Sequence, residues 1–536
     1  MPDPDEAAAA DLGVEAGPSG RAGRVRSAAL VGLRVVAGTV GIVAAVAVIG
    51  AVGLLPLPSH RLAVPSVTVT PEPADQVRVC PGALLRLGDE SGQNANTPSA
   101  LGTPSVTTAG IGAQLTGQPI GLSDAGTGGG LSAPTRFTIP PAAGATLAGA
   151  ESQVADAADY TGFAAASCAE PSGSIWLVGG STAVGRTTLL TLTNPSPVDA
   201  TVAITILSPE GPVRAPGMSG IVVKAGSQRV IPLAGYAPDV ASPVVHVVSR
   251  GGQVVVALQQ SIVRGLDAGG IDLVGAAGAP AKHLVIAGVR VFGAIGVNKA
   301  LALPDWDDVA AAVRVAVPGR HAAKVQVSMV PQDAKLDGLS FEMDVSSGQV
   351  TELGLDSAAQ TDTGAVAIPD GMYSVVIDAD QPVVAGVRVS TAEDESAGAA
   401  GAGGAGAGGA GAGGTGAGVS DTVAPPSDFA WFDPSPVLGG DTAVAIARGP
   451  APMLSVFNPT KASVTLALDA QDGGKDLSLT IPAGGSASIA VAQDTVYLLK
   501  HATGLSAAVS YAGDAELGHY VVSSAGPVSG PIVIRP

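Results

Sequence analysis

This sequence is poor in cysteine, in aromatic residues and in charge. Its 536 residues include 2 Cys, 3% aromatic residues and 13% charged residues. Two cysteines cannot form a structural zinc site, which takes four ligands in paired spacings. Lys and Arg total 27 against 45 for Asp and Glu, and this acidic balance argues against a nucleic-acid partner. The composition therefore excludes zinc-organised folds and disfavours nucleic-acid binding.

Motifs for catalysis and cofactor binding are also missing from the sequence. It contains no His-Glu-x-x-His, no Cys-x-x-Cys, no phosphate-binding glycine loop and no Gly-x-Ser-x-Gly. The six histidines are scattered, and His246 lies in a predicted strand, where a packing role is favoured over a base. Two groups of acids could bind Ca²⁺ but match no EF-hand loop, so solvated turns are favoured: Asp305, Asp307 and Asp308, and Asp469, Asp472 and Asp476. We expect no enzyme, no cofactor and no metal site.

One long apolar segment is present near the N-terminus. Val35–Leu55 carries no charged residue, and a helix of this length spans about 30 Å, the thickness of the hydrocarbon core of a bilayer. Four arginines precede it: Arg21, Arg24, Arg26 and Arg34. The segment predicts a single transmembrane helix with a cytoplasmic N-terminus and an extracytoplasmic remainder. A cleaved signal peptide and a buried soluble helix are the alternatives, and no clear cleavage site favours the former.

The two cysteines agree with an oxidising compartment. Cys80 and Cys168 are separated by 88 residues, and a disulfide between them would remove about 4–5 kcal/mol of unfolded-state entropy in the chain-entropy model. Two buried free thiols are the alternative. A catalytic cysteine is disfavoured because no histidine lies near either one in the sequence.

Composition and repeats divide the chain into eight segments. Residues 56–75 are rich in proline, and residues 397–425 begin with a tract of almost pure Gly and Ala that predicts a flexible linker. The predicted segments are a disordered cytoplasmic tail (1–34), a transmembrane helix (35–55), a stalk (56–75), an irregular β-containing region with a long loop (76–173), unit 1 (174–300), unit 2 (301–396), the linker (397–425) and unit 3 (426–536). A short helix is expected around Gln153–Phe163.

The units are recognised by a repeated order of β-rich runs. A strand ends in Asn194-Pro195 in unit 1 and in Asn458-Pro459 in unit 3, and two further strands, an Ala-Gly-Ser or Ala-Gly-Gly-Ser turn and another strand follow in both. Each unit closes with two β-rich runs parted by a polar turn, which predicts a hairpin. In residues 201–206, β-branched residues alternate with small polar ones, which predicts one buried and one exposed face. Short alternating strands at this density predict tandem immunoglobulin-like β-sandwich units, with a repeat-built propeller as the rival.

Each unit has one tryptophan, which lies just before its first core strand. Trp176, Trp306 and Trp431 are expected to pack in the core or between strands. The alternative is a platform on which glycans stack, and this needs exposed indoles.

Several motifs resemble a known family. They are Cys80-Pro-Gly82, Ser167-Cys-Ala-Glu-Pro171, Trp176-Leu-Val-Gly-Gly-Ser181, Gly185-Arg-Thr-Thr-Leu-Leu190 and Leu192-Thr-Asn-Pro195. The sequence from about Val67 to the C-terminus resembles an uncharacterised family of membrane-anchored envelope proteins of high-G+C Gram-positive bacteria. The resemblance implies no catalytic residues.

The sequence thus favours a non-catalytic scaffold or docking protein, anchored in the cell membrane, whose bulk is extracytoplasmic. Its expected partners are the membrane and other envelope proteins or cell-wall polysaccharide. A cell-wall glycan-binding protein that uses the three tryptophans is the alternative. A hydrolase or transferase accessory, with a site in the loose stretch from Gly88 to Pro134, is the least favoured interpretation because nothing there pairs a nucleophile with a base.

Overall fold

The computed structural model describes residues 38–44, 46, 67–69, 74–87, 98–122, 133–355, 368–394, 425–471, 473–526 and 532–534. These divide into two compact units, Met1–Val69 with Pro531–Pro536, and Thr70–Gly530. The predicted cytoplasmic tail, most of the predicted transmembrane helix and stalk, and the Gly/Ala tract lie outside the described residues. The described chain is mainly β, as the sequence predicts.

The smaller unit contains a helical stretch and a two-stranded sheet. Residues 38–44 and 46 are helical, and β1 (Val67–Val69) pairs antiparallel with β35 (Ile532–Ile534). Within the part of the chain that the structure describes, no helix has both the length and the apolar character needed to cross a bilayer.

Four modules of similar strand order make up the larger unit. The first contains β2 (Gln76–Cys80), β3 (Leu85–Leu87), β4 (Pro98–Ala100), β5 (Ser105–Ile111), β6 (Thr116–Pro119), β7 (Gly121–Leu122), β8 (Thr135–Ile139), β9 (Thr146–Ala157) and β10 (Tyr160–Ser167). The second contains β11 (Ser174–Val178), β12 (Arg186–Asn194), β13 (Ala200–Ser208), β14 (Gly211–Pro212), β15 (Ile221–Val223), β16 (Ser227–Pro232), a 3₁₀ turn (Leu233–Gly235), β17 (Val244–Gly251), β18 (Val255–Arg264) and β19 (Asp267–Val274).

The third module contains β20 (Ala281–Val291), helix α1 (Ala294–Ala300), a 3₁₀ turn (Asp307–Val309), β21 (Ala312–Ala316), β22 (Ala323–Pro331), β23 (Leu339–Val345), β24 (Val350–Gly354), β25 (Gly371–Ala392) and β26 (Ser427–Phe432). The fourth contains β27 (Thr442–Ile446), β28 (Met453–Asn458), β29 (Val464–Ala470), β30 (Leu477–Ile481), β31 (Gly485–Ala490), β32 (Thr495–Lys500), β33 (Ser506–Gly513) and β34 (Glu516–Val521).

Strand pairing repeats from module to module. In the fourth module one sheet has the order β27-β32-β29-β30 and the other β31-β28-β33-β34. The second module repeats this order as β11-β17-β13-β15 and β16-β12-β18-β19. In the third, β20-β25-β22-β23 and β24-β21-β25-β26 follow the same order, because the long strand β25 belongs to both sheets. The first module keeps three strands of each sheet, β2-β8-β6 and β5-β9-β10. The region predicted to be irregular is therefore a shortened copy of the same module.

The predicted closing hairpins are wrong. The two runs at the end of each unit are β17 and β18, the two halves of β25, and β32 and β33, and in each case the runs lie in different sheets. In the third module the predicted turn, residues 378–382, continues as strand. Polar residues mark the point where the chain leaves one sheet for the other, and a sheet crossing and a hairpin turn favour the same residue types.

Two expectations for the first module are also wrong. Gln153–Phe163 is not a helix: it contains the end of β9, a tight turn and the start of β10. The expected loose loop contains strands between Pro98 and Leu122, and residues 88–97 and 123–132 lie outside the described part. Ala-rich sequence favours helix locally, but here tertiary contacts override the local propensity.

The last strand of every module meets the others at the centre of the unit. These strands, β10, β19, β26 and β34, contact one another in a closed ring, in that order. They pack closely because glycines of β10, β19 and β34 lie where these strands meet their neighbours. A Cβ atom added at Gly270 would lie 2.7 Å from Asp428 Oδ1, and one added at Gly518 would lie 2.8 Å from Phe163.

Each central strand is shared between two hydrophobic cores. Phe429 and Trp431 of β26 belong to the core of the second module, whereas Ala430 and Phe432 belong to the core of the third. In the same way Phe163 of β10 packs into the fourth module and Leu517 of β34 into the third. Alternate residues of a strand point to opposite faces, so a strand between two modules is buried on both sides. The four modules therefore form one joined body.

Asp428 links the four central strands at the axis of the ring through hydrogen bonds. This fully buried residue of β26 accepts backbone N–H bonds from the other three central strands: from Phe163 (2.8 Å) and Leu517 (2.9 Å) at Oδ2, and from Ile271 (3.1 Å) at Oδ1. Burial raises the pKa of Asp428 above the usual range, and the N–H donors partly offset this shift. The carboxyl group thus satisfies donors that the ring would otherwise leave buried and unpaired.

The repeated Asn-Pro motif closes one end of its module. The Asn458 side chain donates to the carbonyls of Ala462 (2.8 Å) and Pro482 (3.1 Å) and accepts from the backbone and hydroxyl of Thr460. Asn194 makes the matching four bonds in the second module. The motif is repeated because one buried amide holds three chain segments together.

We expect Asn458→Ala to lower the free energy of unfolding by about 2–3 kcal/mol, because two partly buried carbonyls lose their donor and the turn loses an acceptor. Urea unfolding measures this loss. Thr465→Ala, on the exposed face of β29, is the control and should change stability by about 0.5 kcal/mol or less. Equal losses in both variants would contradict the assigned role of the amide.

The predicted disulfide is confirmed. Cys80, at the end of β2, is bonded to Cys168, just beyond β10, and both residues are buried. The bond joins the first and last strands of the first module. It therefore reinforces the module whose two main sheets have the fewest strands.

Candidate functional site

A pocket opens where the four central strands end. It has a volume of about 630 Å³, within the range of small-molecule sites. Its wall includes the carboxyl-terminal residues of β10, β19 and β34 and residues 433–437, which follow β26. The first strands of the second and third modules, β11 and β20, also contribute. We call this the axial pocket, since every module supplies part of its wall.

The wall of the axial pocket is mainly apolar, with a few polar groups. Among the described residues, no Lys or Arg lines it, whereas the acids Glu170 and Asp433 do. Glu170 is already paired, since it accepts the N–H of Gly526 and lies 3.4 Å from the Arg78 guanidinium. Asp433 is the acid without a cation beside it among the described residues. The pocket is thus poorly suited to anions.

Asp433 lines the axial pocket beside a second buried acid, Asp272. It is 4% exposed, and its Oδ1 atom makes no hydrogen bond to any described residue. Burial and the neighbouring charge of Asp272 raise the pKa of Asp433 well above its usual value. Asp272 accepts the Trp431 N–H at Oδ2 (2.7 Å), and burial raises its pKa to about 7. Both carboxyl groups are therefore harder to ionise than a solvent-exposed aspartate.

His519 completes this side of the pocket. It is buried in β34, and its ring packs against Phe432 with centroids 4.5 Å apart. Burial lowers the pKa of His519 to about 3, so the imidazole is neutral at physiological pH. His519 consequently adds an uncharged polar group to the apolar wall.

The three tryptophans occupy different environments. Trp306 is 5% and Trp431 1% exposed, and each has an arginine over its ring, Arg264 at 4.3 Å and Arg314 at 4.4 Å. Trp176 is partly exposed, lines the axial pocket and stacks on His246 with centroids 4.0 Å apart. Two of the three indoles are therefore packing residues, and one face of the third is covered.

A buried ion-pair network lies between the second and third modules. Arg314 has no exposed surface; it donates to the Gly180 and Pro243 carbonyls, both at 2.9 Å, and to Glu352 Oε2 at 2.6 Å. Arg388 lies 3.7 Å from the same carboxylate. Because the second module supplies the carbonyls and the third supplies the charges, the network joins the two modules.

Two of the acids considered for Ca²⁺, one in each group, have other partners. Asp308 pairs with Arg186 (2.6 Å) and Arg264 (2.7 Å), which hold its pKa below the usual value despite burial. Asp476 accepts the N–H of Ala470, and Asp472 lies outside the described residues. No group of three metal-ligating side chains occurs in the part of the chain that the structure describes.

Sequence reasoning missed Asp272, Asp428, Asp433 and His519. A signal was present: each lies within or next to a run of apolar residues, in Ile271-Asp-Leu273, Asp428-Phe-Ala-Trp-Phe-Asp433 and His519-Tyr-Val-Val522. Ionisable residues in such runs are seldom tolerated without a partner or a function.

The buried acids predict that stability falls at mildly alkaline pH. Burial raises the pKa of Glu151 to about 8 and that of Asp272 to about 7, so between pH 6.5 and 8 the folded chain holds protons that the unfolded chain has released. His519, with its lowered pKa, acts in the opposite direction, but only below about pH 6.5. We expect the free energy of unfolding to decrease by about 2 kcal/mol or more from pH 6.5 to 8.

Urea unfolding at the two pH values measures this decrease. Glu151→Gln should reduce the difference by about half, and the exposed Glu210→Gln is the control that should leave it unchanged. Stability that is constant or rises over this interval would contradict the assignment.

The structure defines a mainly β protein built from four joined modules around an axial pocket. Residues 133–492, about two thirds of the chain, match the model of DUF5719, a family of unknown function, and the chain belongs to that family. No curated protein matches it. Among solved structures, the crystal structure of Thermotoga maritima 1070 is similar at 17% identity, over 21% of this chain and 82% of that one, with a TM-score of 0.16, which supports no inference.

Proposed function

We propose that this chain is a non-catalytic, membrane-anchored scaffold or docking protein of the cell envelope, and that it holds its partner at the axial pocket. The pocket is the observation that carries the proposal. It is deep enough for a ligand or side chains, and its wall comes from four modules that are locked together by shared cores. A preorganised site of this kind binds without the cost of ordering loops.

The proposed compartment is supported by the sequence and by the disulfide. In this proposal Val35–Leu55 anchors the chain, and the four modules lie on the extracytoplasmic side, where the Cys80–Cys168 bond persists. Each module is assigned as an immunoglobulin-like β-sandwich on the basis of its two antiparallel sheets and shared core. A periplasmic-type reporter enzyme fused after Pro536 should be active, and activity of a cytosolic reporter alone would contradict the topology.

Glycan binding is the second candidate, and it now depends on a single indole. Trp306 and Trp431 are buried, so only Trp176 could face a sugar, and one face of its ring is stacked on His246. Small-molecule or side-chain docking in the axial pocket is better supported than a glycan platform, which needs open aromatic faces.

Site-specific photocrosslinking in cells tests the docking proposal. Val437 lines the axial pocket and is 71% exposed, so a photoreactive residue there should form discrete adducts with a partner. Leu266, 93% exposed in the turn between β18 and β19, is the matched control away from the pocket. The Val437 adducts should disappear in Ala276→Trp, which fills the pocket from an exposed position, and persist in Ala225→Trp, at an exposed turn elsewhere.

Two results would overturn docking at the pocket. One is the same set of adducts from positions 437 and 266, which indicates non-specific contact. The other is persistence of the Val437 adducts in the Ala276→Trp protein.

A further inference from the structure

The polar groups of the axial pocket differ in whether their hydrogen-bond and charge partners are present. Glu170 already has a cation and an N–H donor, and Trp176 is stacked on His246. Two buried groups of the wall lack partners among the described residues: the ring nitrogens of His519, and Oδ1 of Asp433, whose carboxyl group accepts a bond from the Gly275 backbone. Asp433 is the one of the two that can carry a negative charge. A buried acceptor left unpaired costs about 1–3 kcal/mol, and a ligand that donates to it recovers this cost.

The charged residues of the pocket wall indicate that the donor group of the ligand is a cation. No Lys or Arg among the described residues lines the pocket, so a bound anion would have no cation to pair with, whereas a bound cation would face Asp433. The remaining wall is largely apolar, with residues such as Val255, Leu273 and Val285 around the cavity. An apolar body with one cationic donor therefore matches the pocket in both shape and charge.

We propose that the axial pocket binds a small apolar ligand that carries an ammonium group, and that this group pairs with the Asp433 carboxylate. This inference deepens the proposed docking function by naming a ligand class, and it rests on that proposal only for the choice of the axial pocket as the binding site. The groups that act on this carboxyl are Asp272 from β19 and the Gly275 N–H, and neither supplies a positive charge. His519 from β34 also lines the pocket, and burial keeps it uncharged at neutral pH. The ammonium group is thus the counter-ion that the pocket lacks.

The pairing has a proton balance that can be measured. Burial and the charge of Asp272 raise the pKa of Asp433, and in this proposal the carboxyl group keeps its proton until the ligand binds. When R–NH₃⁺ binds, the carboxyl ionises, the proton passes to solvent, and the ion pair forms with no covalent change. Binding of the ammonium ligand should therefore release up to one proton, whereas binding of a neutral ligand should release none.

Three isosteric probes test the proposal on the full chain in nanodiscs: 3-phenylpropylamine, 3-phenylpropanol and 3-phenylpropanoate. Calorimetry at pH 7, with empty nanodiscs subtracted, should show that the amine binds at least tenfold more tightly than the carboxylate, with the alcohol between them. Repeating the amine titration in buffers of different ionisation enthalpy should reveal the released proton.

Variants test whether the preference for the amine depends on Asp433 and whether the probes bind in the axial pocket. Asp433→Asn keeps the size of the side chain and should reduce amine affinity about tenfold, to the level of the alcohol, with little change in alcohol affinity. Ala276→Trp should abolish binding of all three probes, and Ala225→Trp should not. If Asp433→Asn does not fold, the proton release by the unmodified protein decides the question.

Several outcomes would overturn the inference: equal binding of the three probes, no proton release, binding of none, or amine binding that survives Ala276→Trp. None of these bears on the docking proposal itself, since that proposal is decided by the Val437 adducts. The opposite result is also possible: the Val437 adducts persist in Ala276→Trp, but the protein still prefers the amine. This result would overturn the docking role and leave the ligand class intact.

Discussion

Replacing Asp428 by alanine should lower the free energy of unfolding by about 4–6 kcal/mol. The carboxyl group accepts N–H bonds from Phe163, Ile271 and Leu517, which lie in three different modules, and all three donors are buried. Each unpaired buried N–H costs about 1–3 kcal/mol, and the substitution leaves three at once. Because the donors come from β10, β19 and β34, the loss affects every contact around the axis.

A pair of variants separates this effect from general disturbance of the strand. Ser427→Ala changes the preceding residue, whose hydroxyl makes no hydrogen bond to a described residue, and should cost about 1 kcal/mol or less. Asp428→Asn keeps the volume but offers one acceptor oxygen, so its loss should lie between the two. Urea unfolding measures all three, and a cost for Asp428→Ala no greater than that for Ser427→Ala would refute the role assigned to the carboxyl group.

Arg314→Leu should lower the free energy of unfolding by about 3–5 kcal/mol. The substitution leaves the carbonyls of Gly180 and Pro243 without this donor, and it leaves Glu352 without its closest cation. Breaking a buried ion pair by removing one partner is costly because the remaining charge stays buried. Arg314→Lys should lose less, since it keeps the charge but not the fork of donors.

A second substitution shows where the cost of Arg314→Leu arises. Adding Glu352→Gln to the Arg314→Leu protein should restore part of the stability, because it removes the unpaired carboxylate. Lys324→Leu breaks an exposed pair with Asp344 and should cost about 1 kcal/mol or less. If the double variant is as unstable as the sum of the two single variants, the ion pair is not the source of the loss.

The repeated motifs predicted where the strands lie better than they predicted which strands pair. The alternation of residues 201–206 is confirmed, with Val202, Ile204 and Ile206 buried and Thr201 and Thr205 exposed. The Asn-Pro motifs occur at equivalent places in the second and fourth modules, as the repeat predicts. The closing hairpins were wrong because a strand's alternation determines which face is buried but carries no information about which strand lies beside it.

The first module could not be recognised as a repeat from its sequence. It lacks the Asn-Pro motif and has only three strands in each of its main sheets, so the signals used to align the other units are absent. The strand after the Gly/Ala tract illustrates the same limit. Ser427–Phe432 was predicted to begin unit 3, but it pairs with β25 of the third module and sends Trp431 into the core of the second.

The sequence by itself determined the local features of this protein: the mainly β class, the alternating faces, the Asn-Pro ends and the cysteine pair, because each depends on residues close together in the chain or on few possible pairings. Only the tertiary structure decided that four strands form a ring, that Asp428 lies at its axis, and that Asp433, His519 and Trp176 line one pocket. These depend on contacts between residues hundreds of positions apart, and no local pattern records them.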